Sequence, residues 1–297
     1  MKKVVLIGLG AVGLTYAVKL KDKCELFILA DNERIKKYTA NKPLFNGIEQ
    51  DFNYILPTDK FDVDLIIIST KSQGLNSAIE NIKNFIGTET RIISLINGVS
   101  SEEEIERAYP NAKVLKSYFI GHSAVRDGNS VMQDGVGEIV VEQDFFIKEF
   151  FSNAKIDFSM PEDIEYSMWL KYTFNSFANP LSAILNMNFG ELKHNKMFIE
   201  FAKNIISEVR QIAKKKGIKN LENLEKDSIN ALDKMCDEGK TSMLQDILAK
   251  RPTEIDIFSG EIIKMGKKYE IKTPYNQVLY DLIKIKEEYN EHSIHTR

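Results

Sequence analysis

Lys171, Asn175 and Asn179 recur at intervals of four in the stretch from Trp169 to Pro180, among Leu170, Tyr172, Phe174 and Phe177. In a helix this spacing puts the three polar groups on one face of an otherwise apolar element. Buried amides need hydrogen-bond partners, and a lysine in apolar surroundings has its pKa lowered toward the range of proton transfer. The plain alternative is a solvent-facing stripe, or amides bonded to neighbouring helices, and periodicity alone favours it. Pro180 removes a helical donor, which frees the carbonyl of Ser176.

The second constellation is Gly8, Leu9, Gly10, Ala11, Val12 and Gly13. It follows the uninterrupted apolar run Val4–Ile7, which reads as a strand covered on both faces, and precedes a helical stretch from Leu14 to Leu20. GxGxxG in that context holds a dinucleotide: Gly8 permits the turn, Gly10 lets a pyrophosphate approach, and Gly13 packs helix on strand. The free N–H groups at the helix start receive the phosphates. Asp31 follows a second strand, Glu25–Leu29, where this fold places the acceptor for an adenosine ribose, and so favours NAD over NADP. Arg34, Lys36 and Lys37 read as a solvated helix face.

Further strands are expected at 64–69, 91–95, 114–118 and 138–141, alternating at first with helices, which indicates a mostly parallel, doubly wound sheet. Thr70 with Lys71, and Asn97 with Gly98, stand at strand carboxyl ends, the usual ligand edge of such a sheet. Each alone reads as an ordinary loop residue or turn. From about residue 163 the pattern becomes helical, over 163–186, 191–216, 221–236, 243–249, 253–269 and 275–289. The expected class is therefore α/β, a Rossmann-type domain over 1–162 followed by an all-helical domain over 163–297, with a cleft between them.

Ser242 opens Ser-Met-Leu-Gln, which reads as a capping box with Gln245, and a helix start with a hydroxyl also suits a carboxylate. Glu254, two residues after Pro252, reads as a first-turn acid of the next helix.

The net charge of −3 argues against nucleic acid as the main partner. The lysine run 214–216 precedes Gly217, where cations suit a helix C-terminus. Two distant cysteines, Cys24 and Cys236, give neither a disulfide framework nor a zinc pattern, and His292 and His295 are expected to face solvent, so no metal is anticipated. No signal peptide or membrane span is read, and a cytoplasmic protein with reduced thiols is expected.

Taken together, GLGAVG at 8–13, Thr70-Lys71, Asn97-Gly98, Arg126-Asp127-Gly128, Trp169 with Lys171, Asn175 and Asn179-Pro180-Leu181, Ser242 through Asp246, Thr253 through Asp256 and Gly260 resemble the ketopantoate reductase (2-dehydropantoate 2-reductase) family. The resemblance spans essentially the whole chain. It implies reduction of 2-dehydropantoate, a 2-keto acid, to D-pantoate in pantothenate biosynthesis. It further implies Lys171 as general acid, Glu254 as the carboxylate orienting substrate hydroxyl and cofactor, and Asn175, Asn179 and Ser242 as substrate ligands. Lys71, Asn97 and Ala124 correspond to cofactor-side positions. The implied cofactor is NADPH, whereas Asp31 stands where NADP-using members typically carry arginine and leans toward NADH. Phe189 stands where the family often has asparagine, which points to a more apolar acyl group. The competing readings are an NAD-dependent D-2-hydroxyacid dehydrogenase for branched or aromatic 2-keto acids, and a nonenzymatic nicotinamide-binding sensor. A monomer or homodimer is expected.

Overall fold

Val4 and Leu6 face one apolar cluster, with Leu14, Ala17, Ile139 and Phe151, while Val5 and Ile7 face another, with Ile66, Ile68, Ile92 and Ile105. The strand is thus buried on both sides, as its unbroken run of branched and aliphatic residues requires. The computed structural model describes residues 1–121, 123–135 and 137–295. The chain divides into two compact units, Met1–Ile164 and Glu165–Arg297.

In the first unit, β1 (Lys3–Ile7) leads to α1 (Ala11–Leu20), β2 (Glu25–Leu29) and α2 (Asn32–Ala40). The short strands β3 (Leu44–Phe45), β4 (Ile48–Glu49) and β5 (Asn53–Ile55) precede β6 (Leu65–Ile68), α3 (Leu75–Ile82), β7 (Arg91–Ser94), α4 (Ser101–Ala108) and β8 (Lys113–Leu115). Then come β9 (Ser117–Ile120), β10 (Ser123–Asp127), β11 (Ser130–Asp134), β12 (Glu138–Val141), α5 (Phe145–Ala154) and β13 (Phe158–Ser159). Six strands form one parallel sheet in the order β5-β2-β1-β6-β7-β8, the doubly wound order in which direction of winding reverses beside β1. The expected α/β class with a Rossmann-type parallel sheet holds.

One expected strand, 114–118, is two: β8 completes the large sheet, and β9 turns away to pair antiparallel with β12, which carries β13 on its other side. A third sheet joins β10-β11-β3-β4, and the sequence gives no periodic signal for these short segments, whose Ile48, Val125 and Met132 are exposed.

The second unit is helical: α6 (Ile164–Leu185), α7 (Phe189–Lys193), α8 (Lys196–Lys215), α9 (Leu224–Asp233), α10 (Ser242–Leu248), α11 (Glu261–Tyr269) and α12 (Pro274–His295). Its core joins Phe177, Leu181, Leu192, Phe198, Ile205 and Leu279. The single helix expected over 191–216 is split, because Asn195 caps a new one by accepting from Phe198 N–H at 3.0 Å. The lysine run does lie at the end of α8, closed by Gly217 at φ +88°. Buried Glu208 receives the N–H groups of Tyr275 and Asn276 at 2.8 and 3.0 Å and so anchors the start of α12. The side chains of residues 291–297, His292 and His295 among them, lie outside the described residues. No helix among the described residues is long and apolar enough to cross a membrane. Cys24 is buried and its thiol is pushed up to about 12 by burial, whereas Cys236 is exposed.

Candidate functional site

In the first unit the strands end level, since Ile7 pairs with Leu29 and Ile68, and Ile68 with Ser94. Gly8–Gly13, Asp31, Lys71 and Asn97 each follow one of these parallel ends and therefore share the carboxyl edge of the sheet.

The three glycines meet three different requirements. Gly8 has φ +100°, and a Cβ there would stand 2.8 Å from the backbone of Ser69 and Thr70. A Cβ on Gly13 would lie 1.8 Å from the Gly8 carbonyl and 2.4 Å from Ser69 Oγ, so α1 packs directly on the turn. At Gly10 the nearest atom would be Ser69 O at 3.9 Å, and φ is an ordinary −75°. Nothing among the described residues demands glycine there, so the space suits a closely approaching ligand. Gly10 caps α1 with no side-chain bond, which leaves the first-turn N–H groups of half-buried Ala11 and Val12 for an anion. Leu9 between them is buried.

Ser69 holds the turn from behind, donating its Oγ to Gly8 O at 2.8 Å. Arg126 of β10 donates Nη1 to Leu9 O at 2.7 Å. Thr70 Oγ1 is buried and has no hydrogen-bond partner among the described residues.

Asp31 is exposed and caps α2, accepting from Arg34 N–H at 2.7 Å, while Arg34 Nε lies 3.4 Å from the other carboxylate oxygen. Arg34 is thus tied back to Asp31 as well as facing solvent. Lys71 is exposed at the start of a 3-10 turn, Ser72–Gly74, and half-buried Asn97 precedes Gly98 at φ +114°. Ala124 is half-buried on β10 opposite Gln133 and packs against the core that holds α1.

In the second unit α6 carries Lys171 and Asn175 half-buried and Asn179 at 4% exposure, on one face, and it continues through Pro180. The hydroxyls of Thr173 and Ser176 turn back onto Trp169 O and Tyr172 O, so they are satisfied within the helix. Tyr172 is fully buried and donates to Phe258 O at 3.0 Å, linking α6 to the segment after Glu254.

Two expectations are corrected here. The cap of α10 is Thr241, whose Oγ1 accepts from Leu244 N–H at 3.2 Å. Ser242 is the first helical residue and exposed, and Gln245 donates to Lys240 O rather than completing a box. Glu254 is half-buried in a bend that leads into a π-helical turn, Asp256–Gly260, and not in the first turn of an α-helix, because α11 begins only at Glu261. Thr253 fixes this bend, donating its N–H to Glu287 and receiving Ile255 N–H on its hydroxyl.

Phe189 packs against Phe174 with ring centroids 6.4 Å apart. Among the described residues no group of three or more His, Cys, Asp or Glu is placed to hold a metal ion.

Residues 4–144 match the family model described as ketopantoate reductase PanE/ApbA, and residues 163–287 match its C-terminal counterpart. A 2-dehydropantoate 2-reductase of Pyrococcus horikoshii is 32% identical over 237 residues, covering 75% of this chain and 76% of that protein. The chain belongs to the ketopantoate reductase family. Another family member so named, from Aquifex aeolicus, is 27% identical over 97% of this chain and 98% of its own. Among solved structures, D-mandelate dehydrogenase with NADH and anilino(oxo)acetate superposes at a TM-score of 0.84, with 25% identity over 97% of this chain and 99% of that one. A ketopantoate reductase from Ralstonia eutropha shares the fold at a TM-score of 0.80 and 22% identity.

Proposed function

We propose that this chain reduces 2-dehydropantoate to D-pantoate with a nicotinamide dinucleotide, as part of pantothenate biosynthesis. The observation that carries the reading is that one chain holds both a turn with room at Gly10, in its first unit, and a Lys-Asn-Asn face on α6, in its second. The first matches a dinucleotide pyrophosphate in steric terms, and the second matches a keto acid in its polar groups.

Gly8–Gly13 hold the pyrophosphate through the free N–H groups at the start of α1, and Lys71, Asn97 and Ala124 line the cofactor side. When bound, the reduced nicotinamide supplies the hydride that adds to the keto carbon. Lys171 polarises the keto oxygen and gives it a proton from Nζ as the carbon–oxygen π bond opens, then recovers a proton from water. Asn175, Asn179 and Ser242 bind the acid. Glu254 orients the substrate hydroxyl and the cofactor.

Asp31 supports NADH as the preferred cofactor, since its carboxylate accepts from a ribose diol and repels a 2′-phosphate. A second substrate reading has its own support: Phe189 packs beside Phe174, the residue before Asn175, and D-mandelate dehydrogenase shares the fold over 97% of this chain. In that reading the acid carries a branched or aromatic group. A panel of 2-keto acids, 2-dehydropantoate included, assayed with NADH and NADPH tests both. Turnover of 2-dehydropantoate below that of aromatic keto acids overturns the first reading, and binding of NADH without turnover of any acid leaves only a nicotinamide sensor.

A further inference from the structure

We infer that Arg126 is a positioning residue for the cofactor pyrophosphate, aiming the Gly10 N–H by holding the Leu9 carbonyl on the other side of the same peptide bond. The inference rests on the dinucleotide reading above. Leu9 C=O and Gly10 N–H belong to one planar peptide, and in a trans peptide they point in opposite directions. Whatever fixes the carbonyl therefore aims the N–H.

This peptide needs such a tie more than its neighbours do. Gly8 is walled by Ser69 and Thr70, and Gly13 by the Gly8 carbonyl and Ser69 Oγ, but at Gly10, its chain neighbours aside, no atom of the described residues comes closer than 3.9 Å to the place of a Cβ. A glycine without steric walls is the softest point of the turn. Arg126 reaches it from 117 residues away, with Nη1 on Leu9 O at 2.7 Å. Its Nε donates to Gly128 O at 3.0 Å, in the β10–β11 turn where Gly128 has φ +57°, so the guanidinium is braced by its own hairpin. Two fixed donors on one planar group set its orientation, which a lysine does not reproduce. A charged donor on the carbonyl also polarises the peptide, which strengthens the opposite N–H as a donor to an anion.

The competing account is that the bond merely ties the hairpin to the sheet. The two accounts are separated by titrating NADH, and separately ADP-ribose, into the full-length protein and its Arg126→Met variant, alongside thermal melts and steady-state kinetics. Loss of one charge-assisted contact predicts Kd values for NADH and ADP-ribose that rise together by roughly tenfold. KM for NADH follows them, while kcat at saturating NADH and KM for the keto acid change less than about twofold, because the lost contact acts on cofactor binding alone. Unchanged affinity in the variant overturns the inference, as does a loss of kcat at saturating NADH together with a large fall in Tm. Failure of the unmutated protein to bind either ligand overturns the dinucleotide reading and this inference with it, an outcome distinct from the first two.

Discussion

Arg34 contacts the Asp31 carboxylate twice, through its backbone N–H at 2.7 Å and through Nε at 3.4 Å. The negative charge proposed to select the cofactor is thus partly offset by a neighbour that is itself able to meet a phosphate. NADH is expected to give the higher kcat/KM, by roughly tenfold rather than the hundredfold an isolated carboxylate would give. Asp31→Ser keeps an oxygen for the α2 cap and removes the charge, so it should erase the preference with little loss of stability. Parallel kinetics with both cofactors check this, and a wild-type preference for NADPH would show that Arg34 dominates.

Lys171→Ala should lower kcat by about a hundredfold or more, the range of a lost general acid, while NADH affinity stays within a few-fold. Single-turnover rates with titrated NADH measure the two effects separately. Near-normal turnover removes the proposed proton donor.

Thr241 and Ser242, adjacent hydroxyls, are expected to fail differently when truncated. Thr241→Ala deletes the cap of α10 and should cost about 1 kcal/mol of stability. Ser242→Ala should leave stability unchanged and raise the KM of the keto acid. Urea unfolding and substrate kinetics on both variants make the comparison. Equal loss of stability in the two would restore Ser242 as a cap.

Gly10→Ala should fold normally, since its Cβ has room, and bind NADH at least roughly tenfold more weakly because the methyl group occupies ligand space. Gly13→Ala should instead impair folding, with its Cβ forced to 1.8 Å from a carbonyl oxygen. Soluble yield, melting temperature and NADH titration separate the two cases.

Glu102, buried at the start of α4, is pushed up to about 7, chiefly by burial. One carboxylate oxygen accepts from Ser101 Oγ at 2.9 Å, and the other has no hydrogen-bond partner among the described residues. Between pH 4.5 and about 7 the unfolded chain has lost this proton while the folded one keeps it, so stability falls as pH rises through that window. Above it the full cost applies, on the order of 3 kcal/mol. Glu102→Gln should flatten this contribution, making the variant relatively more stable at pH 8 than at pH 5. Urea unfolding at the two pH values decides, and parallel pH dependence in variant and wild type would show that Glu102 does not titrate there.

The parts legible in the sequence were those whose pattern has one structural solution. Val4–Ile7 is apolar on both faces because both faces are covered, and the glycines follow at once. The stretch 114–118 was opaque because one short extended run serves two sheets, dividing at Lys116. Thr241 and Ser242 satisfy nearly the same capping pattern one residue apart, and only the backbone decides between them. Glu254 followed Pro252 as a helix start would, but the bend and π turn leave no periodic trace. The contact of Arg126 with Leu9 has no local signal, since its partner lies 117 positions away.

The glycine turn leans on Ser69, whose backbone abuts Gly8, whose hydroxyl abuts Gly13, and which stands 61 residues beyond Gly8. Such a fingerprint is not portable. Grafted with its strand and helix onto a foreign sheet, the first thirty residues would arrive without their rear wall, and the motif would survive as a string of letters while its shape was lost. During synthesis the same dependence delays the cradle until β6 has emerged and paired with β1, so a ribosome-bound chain shorter than that has the glycines in hand and nowhere to seat a nucleotide.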